Sequence, residues 1–308
     1  MRVVETIDDL EDAIASSKRE ASAAFGNDTV FLERYLPAPR HVEIQVLGDQ
    51  HGNVLHCFER ECSIQRRHQK VIEEAPSPAM SINLRHRMGA AAVTAVEAMG
   101  YYSVGTVEFL LDGEGDEAQF FFLEINTRLQ VEHPVTEAIT GIDLVREQIL
   151  VAAKNHLSFT QSDLSITGHA IEARLYAEDP SNNFLPATGT LHVWKPATEP
   201  KVRFDSGIEQ GSVVSVEFDP MLAKVIAHAP TRTEASLKLA LALERTHLHG
   251  VTTNRDFLVS TLRSEEFLAG NTTTDFIERV DLVRQREAEQ AEIHTAAISA
   301  ALLSQAAN

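Results

Sequence analysis

Apolar positions recur first at helical spacing and then at alternate residues. Leu10, Ile14, Ala21 and Phe25 follow a helical repeat that Gly26-Asn27 ends, and Thr6 with Asp9 supplies a capping box, so the chain opens on an amphipathic helix. Thr29 to Leu36 reads as a strand running into the stiff turn Pro37-Ala-Pro39. From His41 to Val46 the alternation is strict: His41, Glu43 and Gln45 share one face, while Val42, Ile44 and Val46 share the other. Asp49 to Asn53 then turns the chain into a return strand, Val54 to Phe58. Leu84, Met88, Ala92 and Val96 predict a helix over Asn83 to Met99, stopped by Gly100.

Two further strands, Gly105 to Leu111 and one beginning near Phe120, flank the hairpin loop Asp112-Gly-Glu-Gly-Asp-Glu117. Alternation continued through the second strand puts Glu124, Asn126, Arg128 and Gln130 on one face. A helix over about Thr140 to Ala153 is expected to turn Ile142, Leu144, Val145 and Ile149 to the core. Ser, Gln and Asp cluster over Asn155 to Ser165 as a linker. Beyond it, Gly168 to Pro180 alternates, with Glu172 and Arg174 on one face. Short strands follow through Gly189–Trp194, Val202–Asp205, Gly211–Glu217 and Met221–Ala227. Helices over Thr233–Thr246 and through Phe257 and Leu262 come next, and Asp281 to Asn308 is a helix-forming tail with Ile293, Ile298 and Leu302 as its apolar stripe. The pattern predicts an α+β protein with a first lobe over 1–154, a β-rich domain over 165–280 and a helical tail over 281–308.

Composition bounds the function. A chain of 308 residues makes about two domains, and 44% hydrophobic content supports a buried core. A formal charge of −18 argues against broad nucleic-acid binding, though not against a local basic site for a small anion. Two cysteines, Cys57 and Cys62, make neither a disulfide framework nor a zinc site and read as structural, as do His51 and His56. No apolar run reaches the roughly 18 residues of a membrane span and the first residues lack a signal-peptide core, so a cytoplasmic location is expected.

The candidate chemistry lies in the hairpin. Centred near Asp116, it sets Glu108 opposite Glu124, and like charges facing each other at ~5 Å disfavour a sheet unless a cation sits between them. Two carboxylates and the Asn126 amide are hard-oxygen ligands suited to Mg²⁺ or Mn²⁺ bridging phosphates; the bland alternative is an acidic hairpin in water. Arg60 to Lys70 is the densest basic segment. Arg66, Arg67 and Lys70 either hold phosphate or bicarbonate or form a solvated loop. An isolated Arg174 reads as a surface ion pair and an isolated His41 as a half-buried histidine.

Arg40-His-Val-Glu-Ile-Gln-Val, Gln65-Arg-Arg-His-Gln-Lys, Glu124-Ile-Asn-Thr-Arg-Leu-Gln-Val-Glu-His-Pro-Val-Thr-Glu and Gly168-His-Ala-Ile-Glu-Ala-Arg, in this order, resemble biotin carboxylase, the ATP-grasp component of biotin-dependent carboxylases. The resemblance runs from Met1 to about Val280. It implies a reaction in which ATP and bicarbonate form carboxyphosphate and the ureido nitrogen of carrier-bound biotin is carboxylated. It implies that Glu33 and Leu36 hold the adenine, that His41, Gln65 and His68 bind the nucleotide, and that Glu108, Glu124 and Asn126 ligate two divalent cations. Lys70, Arg128, Gln130 and the Val131 backbone resemble the bicarbonate site, Glu132 the general base, and Arg174 the group that stabilises the biotin oxygen. The implied partners are a biotin carboxyl carrier protein, a carboxyltransferase subunit and a second copy of the chain.

Met1-Arg-Val-Val aligns just after the family's glycine-rich phosphate flap, so the expectation is a fragment without the N-terminal domain, its two ATP-contacting lysines or the flap, and with an apolar face where those strands would pack. No Met-Lys pair of the biotin-carrying kind occurs. The other reading this leaves open is a non-catalytic remnant serving in dimerisation or partner docking. Carbamoyl phosphate synthetase shares the metal strand but not the Gln-Val-Glu-His-Pro continuation or the Arg174 segment.

Overall fold

The computed structural model describes residues 2–287, 290, 291, 293–295 and 297–299. Two compact units divide between Ala38 and Pro39. The first holds one long helix, α1 (Leu10–Phe25), closed by Gly26 in the left-handed conformation, and then an irregular segment. The strand expected over Thr29–Leu36 does not form: β-propensity alone makes no ladder without a partner, and Phe31, Leu32 and Tyr35 are exposed.

The second unit is built on an eight-stranded antiparallel sheet. Its strands are β1 (Arg40–Gly48), β2 (Val54–Arg66), β3 (Gln69–Ala75), β4 (Ser103–Asp112), β5 (Gln119–Asn126), β6 (His169–Tyr176), β7 (Arg203–Ser206) and β8 (Met221–Ala229), ordered β7-β8-β6-β3-β2-β1-β4-β5. Residues 155–165 lie outside the sheet, which passes unbroken from the first five strands to the last three because β3 pairs with β6.

Helix α2 (Ile82–Ala98), capped by the Ser81 side chain, lays Leu84, Met88, Ala92 and Val96 on Val42, Ile44 and Val46 of β1. The opposite face of β1 carries His41, Glu43 and Gln45. It is buried too, because α3 (His133–Thr140) lies against β2, β3, β6 and β8. A second core joins Ile171, Ala173, Leu175, Val225 and Ala227 to Leu239 and Leu243 of α5 (Arg232–Glu244) and to Phe257, Leu258 and Leu262 of α6 (Arg255–Arg263). Beside the main sheet, Val193–Lys195 pairs with His247–His249.

Three further expectations are corrected. Arg60 to Lys70 is no solvated loop: β2 runs on to Arg66 and turns at Arg67-His68 into β3, so Arg60 is 0% exposed. The helix expected from Thr140 is two helices, α3 and α4 (Leu144–Ala152), because Gly141 adopts the left-handed conformation and resets the phase. Leu144, Glu147 and Val151 therefore turn inward, while Val145 and Ile149 are 40% and 64% exposed. Finally, β5 ends at Asn126, so Arg128 and Gln130 escape the alternation: Arg128 is exposed and Gln130 buried. The described positions between 290 and 299 are helical, while Leu302 of the tail's stripe lies outside the described residues.

Candidate active site

The β4–β5 hairpin has the expected register, with Glu108 directly opposite Glu124. Asn126 Nδ2 joins them, donating to Glu108 Oε1 at 3.0 Å and to Glu124 Oε1 at 2.8 Å. Glu108 is buried and Glu124 exposed, so the group opens outward through Glu124. Burial works to raise the Glu108 carboxyl, but the His41 hydrogen bond (Nε2···Oε2, 2.7 Å) and the Lys70 charge hold it at about 2. This all-oxygen set, with the Asn126 amide able to turn its oxygen inward, fits a Mg²⁺-like cation.

Inward from the hairpin, the polar face of β1 becomes an ionic cluster. Lys70 Nζ donates to Glu43 Oε2 at 2.6 Å, Glu108 Oε1 at 3.1 Å and Glu132 Oε1 at 2.5 Å, using all three of its protons. Burial opposes that charge, yet the surrounding carboxylates, Glu43 foremost, raise the Lys70 pKa well above its ordinary value. Arg60 supports the cluster from below. Its Nε donates to Glu43 Oε1 at 2.6 Å, and its two terminal nitrogens donate to Gln45, Thr136, Thr106 and Gln130 at 2.5–3.2 Å. All five guanidinium donors are thus satisfied inside the protein.

Glu132, at the N-terminus of α3, stands between two cations. Its second oxygen accepts from Arg174 Nη2 at 3.0 Å, and Arg174 Nε in turn donates to Glu73 Oε1 at 2.5 Å. Lys224 on β8, opposite Arg174, donates to the Val131 carbonyl at 2.6 Å and fixes the turn ahead of Glu132. Gln130 Nε2 donates to Glu108 Oε1 at 2.7 Å. Arg128 stays exposed, with a 3.4 Å contact to its neighbour's carbonyl, so its fork is open to an incoming anion.

Of the residues singled out in the sequence, the second unit gathers His41, Lys70, Glu108, Asn126, Gln130, Glu132 and Arg174 into one hydrogen-bonded network, with Glu124 at its rim. Gln65 pairs with Lys70 across the β2–β3 hairpin and His68 sits exposed at its tip. Glu33 and Leu36 belong to the first unit. Four participants had not been singled out as site residues: Glu43, Arg60, Glu73 and Lys224. Glu43 was legible on the polar face between His41 and Gln45, but nothing local marks Arg60 as buried or Lys224 as a neighbour of Val131. Cys57 and Cys62 are buried free thiols, and burial pushes Cys57 up to about 12.

Residues 1–160 match the family model of the carbamoyl-phosphate synthase L chain ATP-binding domain, and residues 172–279 match that of the biotin carboxylase C-terminal domain. The chain is 49% identical to the mitochondrial methylcrotonoyl-CoA carboxylase subunit alpha of Arabidopsis thaliana, over 99% of this chain and 42% of that protein. It is 45% identical to biotin carboxylase 2 of Bacillus subtilis, over 91% of this chain and 62% of that one. The biotin carboxylase domain dimer of Hydrogenobacter thermophilus 2-oxoglutarate carboxylase, solved with MgADP, ADP and bicarbonate, superimposes with a TM-score of 0.84 at 39% identity, over 90% of this chain and 60% of that one. The chain thus spans less than two thirds of the length of each of these three.

Proposed function

Because the chain belongs to the biotin carboxylase family, we propose that it takes part in ATP- and bicarbonate-dependent carboxylation of biotin on a carrier protein, through carboxyphosphate, within an acyl-CoA carboxylase. The observation that carries this reading is the Glu132 carboxylate held between Lys70 Nζ at 2.5 Å and Arg174 Nη2 at 3.0 Å.

In this reading Arg128 offers its fork to bicarbonate, with Lys70, Gln130 and the Val131 backbone around the anion. Glu132 takes the bicarbonate proton, and the freed oxygen attacks the γ-phosphorus of ATP, releasing ADP. The ureido nitrogen of biotin then bonds to the carboxyl carbon of carboxyphosphate as phosphate departs and takes the nitrogen's proton, while Arg174 stabilises the negative oxygen of biotin. Glu33, Leu36, His41, Gln65 and His68 serve ATP. Glu108, Glu124 and Asn126 hold Mg²⁺ or Mn²⁺, which when bound neutralises phosphate charge.

The partners proposed are a carrier protein, a carboxyltransferase subunit and a second copy of this chain. A dimer is supported by the one named for the Hydrogenobacter relative. The division into 1–154 and 165–280 is proposed on the two family-model matches, and a cytoplasmic location on the two free thiols. Among the described residues no helix is long and apolar enough to cross a membrane.

The test is bicarbonate-dependent ATP hydrolysis by this chain with free biotin. Turnover that falls by about a hundredfold or more in Glu132→Gln and Arg174→Ala is expected. No turnover above background in the unaltered chain would favour the other reading, a dimerisation or docking module.

A further inference from the structure

Behind Arg174 lies a pair of acids that the proposed chemistry leaves unused. Glu73 on β3 and Glu172 on β6 are direct cross-strand partners, both 0% exposed. Their Cβ atoms are therefore ~5 Å apart on one face, a spacing at which two negative charges repel. Glu73 uses one oxygen to hold Arg174 Nε, and its Oε2 has no hydrogen-bond partner; neither has either oxygen of Glu172. Buried carboxylate oxygens without partners are costly as long as both groups are ionised.

The groups facing the pair do not supply a second counter-charge. Arg174 is shared between Glu73 and Glu132, and Lys70 serves Glu43, Glu108 and Glu132. Lys224 lies 4.0 Å from Glu172 but is turned to the Val131 carbonyl at 2.6 Å and to Asp205 at 3.4 Å. Lys224 is shared with Asp205, so an ionised Glu172 would stand beside an ionised Glu73 without a counter-charge of its own. One proton on the pair removes that repulsion. It also turns Glu172 into a donor to the orphaned Glu73 oxygen.

We propose that Glu172 is carried as a neutral acid hydrogen-bonded to an ionised Glu73, and that this pair is a positioning device for Arg174. The ionised Glu73 fixes the Nε edge and leaves the Nη edge for Glu132 and substrate. The neutral Glu172 adds no second charge to draw the guanidinium off that line. Burial drives both carboxyls upward, Glu172 well above its ordinary value, while the Arg174 charge pulls Glu73 back down, in the same direction as the geometry. The inference rests on the role given above to Arg174, but its first two readouts need no catalysis.

Infrared difference spectra of this chain at neutral pH should contain the carbonyl stretch of a buried protonated carboxylic acid, and Glu172→Gln should remove it. Nitrogen NMR should show an exchange-protected Arg174 Nε–H that survives Glu172→Gln and is lost in Glu73→Ala. In the hydrolysis assay the KM for free biotin should be about tenfold higher in Glu73→Ala than in Glu172→Gln, the worth of one charged hydrogen bond. A native spectrum without the acid band overturns the shared proton, and this reading needs no variant to fold. A protected Nε–H persisting in Glu73→Ala overturns the positioning role. Absence of turnover in the native chain would count against the proposed function alone.

Discussion

Glu108 and Glu124 face each other across β4 and β5, and the Asn126 amide donates to both. Two opposed acids linked through one amide form an oxygen-rich group that can take up a shared cation, as proposed. In Glu124→Ala, Mn²⁺ binding followed by electron paramagnetic resonance should weaken by at least about tenfold. The melting midpoint should hardly move, since Glu124 is exposed and such substitutions stay within about 0.5 kcal/mol. Equal Mn²⁺ affinity in the variant would exclude Glu124 as a ligand.

Arg60 should be the costliest side chain of the site to lose. Its five bonds lie in the buried interior, and its removal leaves Glu43 with Lys70 as its ion-pair partner among the described residues. Arg60→Met is expected to destabilise by about 3–5 kcal/mol in urea unfolding. Arg60→Lys should recover little, because three donors on a point charge cannot reproduce the fork. Near-native stability of either variant would contradict the buried network.

Stability should fall on both the acid and the alkaline side, for opposite reasons. Burial tends to raise the Glu74 carboxyl, but the Arg232 charge and the His169 hydrogen bond hold it at about 2; hydrogen bonds from Asn53 and backbone amides hold Asp49 at about 2 against the same pull. Both folded values lie below the unfolded ones, so their stabilisation is present above about pH 4 and is lost as pH falls toward 2. Glu172, pushed well above its ordinary value by burial, has the reverse sign: the folded state keeps a proton the unfolded chain has released, so stability declines as pH rises above about 4.3. Urea midpoints across this range should show both limbs. Glu172→Gln should flatten the upper one and leave the lower.

Local order in the sequence determined the elements whose partners are near neighbours. The α2 stripe, the β1 alternation and the Glu108–Glu124 register were legible because a helix repeats every 3.6 residues, a strand every two, and a hairpin's centre sets its pairing. Glu108, Glu124, Asn126 and Glu132 stood out because charged and amide groups clustered within a few residues or faced each other across the hairpin. Tertiary structure alone decided the rest. Thr29–Leu36 has strand-forming residues but no ladder to join; Gly141 shifted the α4 phase and left Val145 and Ile149 outside. Arg60, Lys224 and Glu73 became site residues only when β2, β8 and β3 were brought beside residues 70 to 101 positions away in sequence. Such distant contacts depend on the order of strands in the sheet, which no local periodicity encodes.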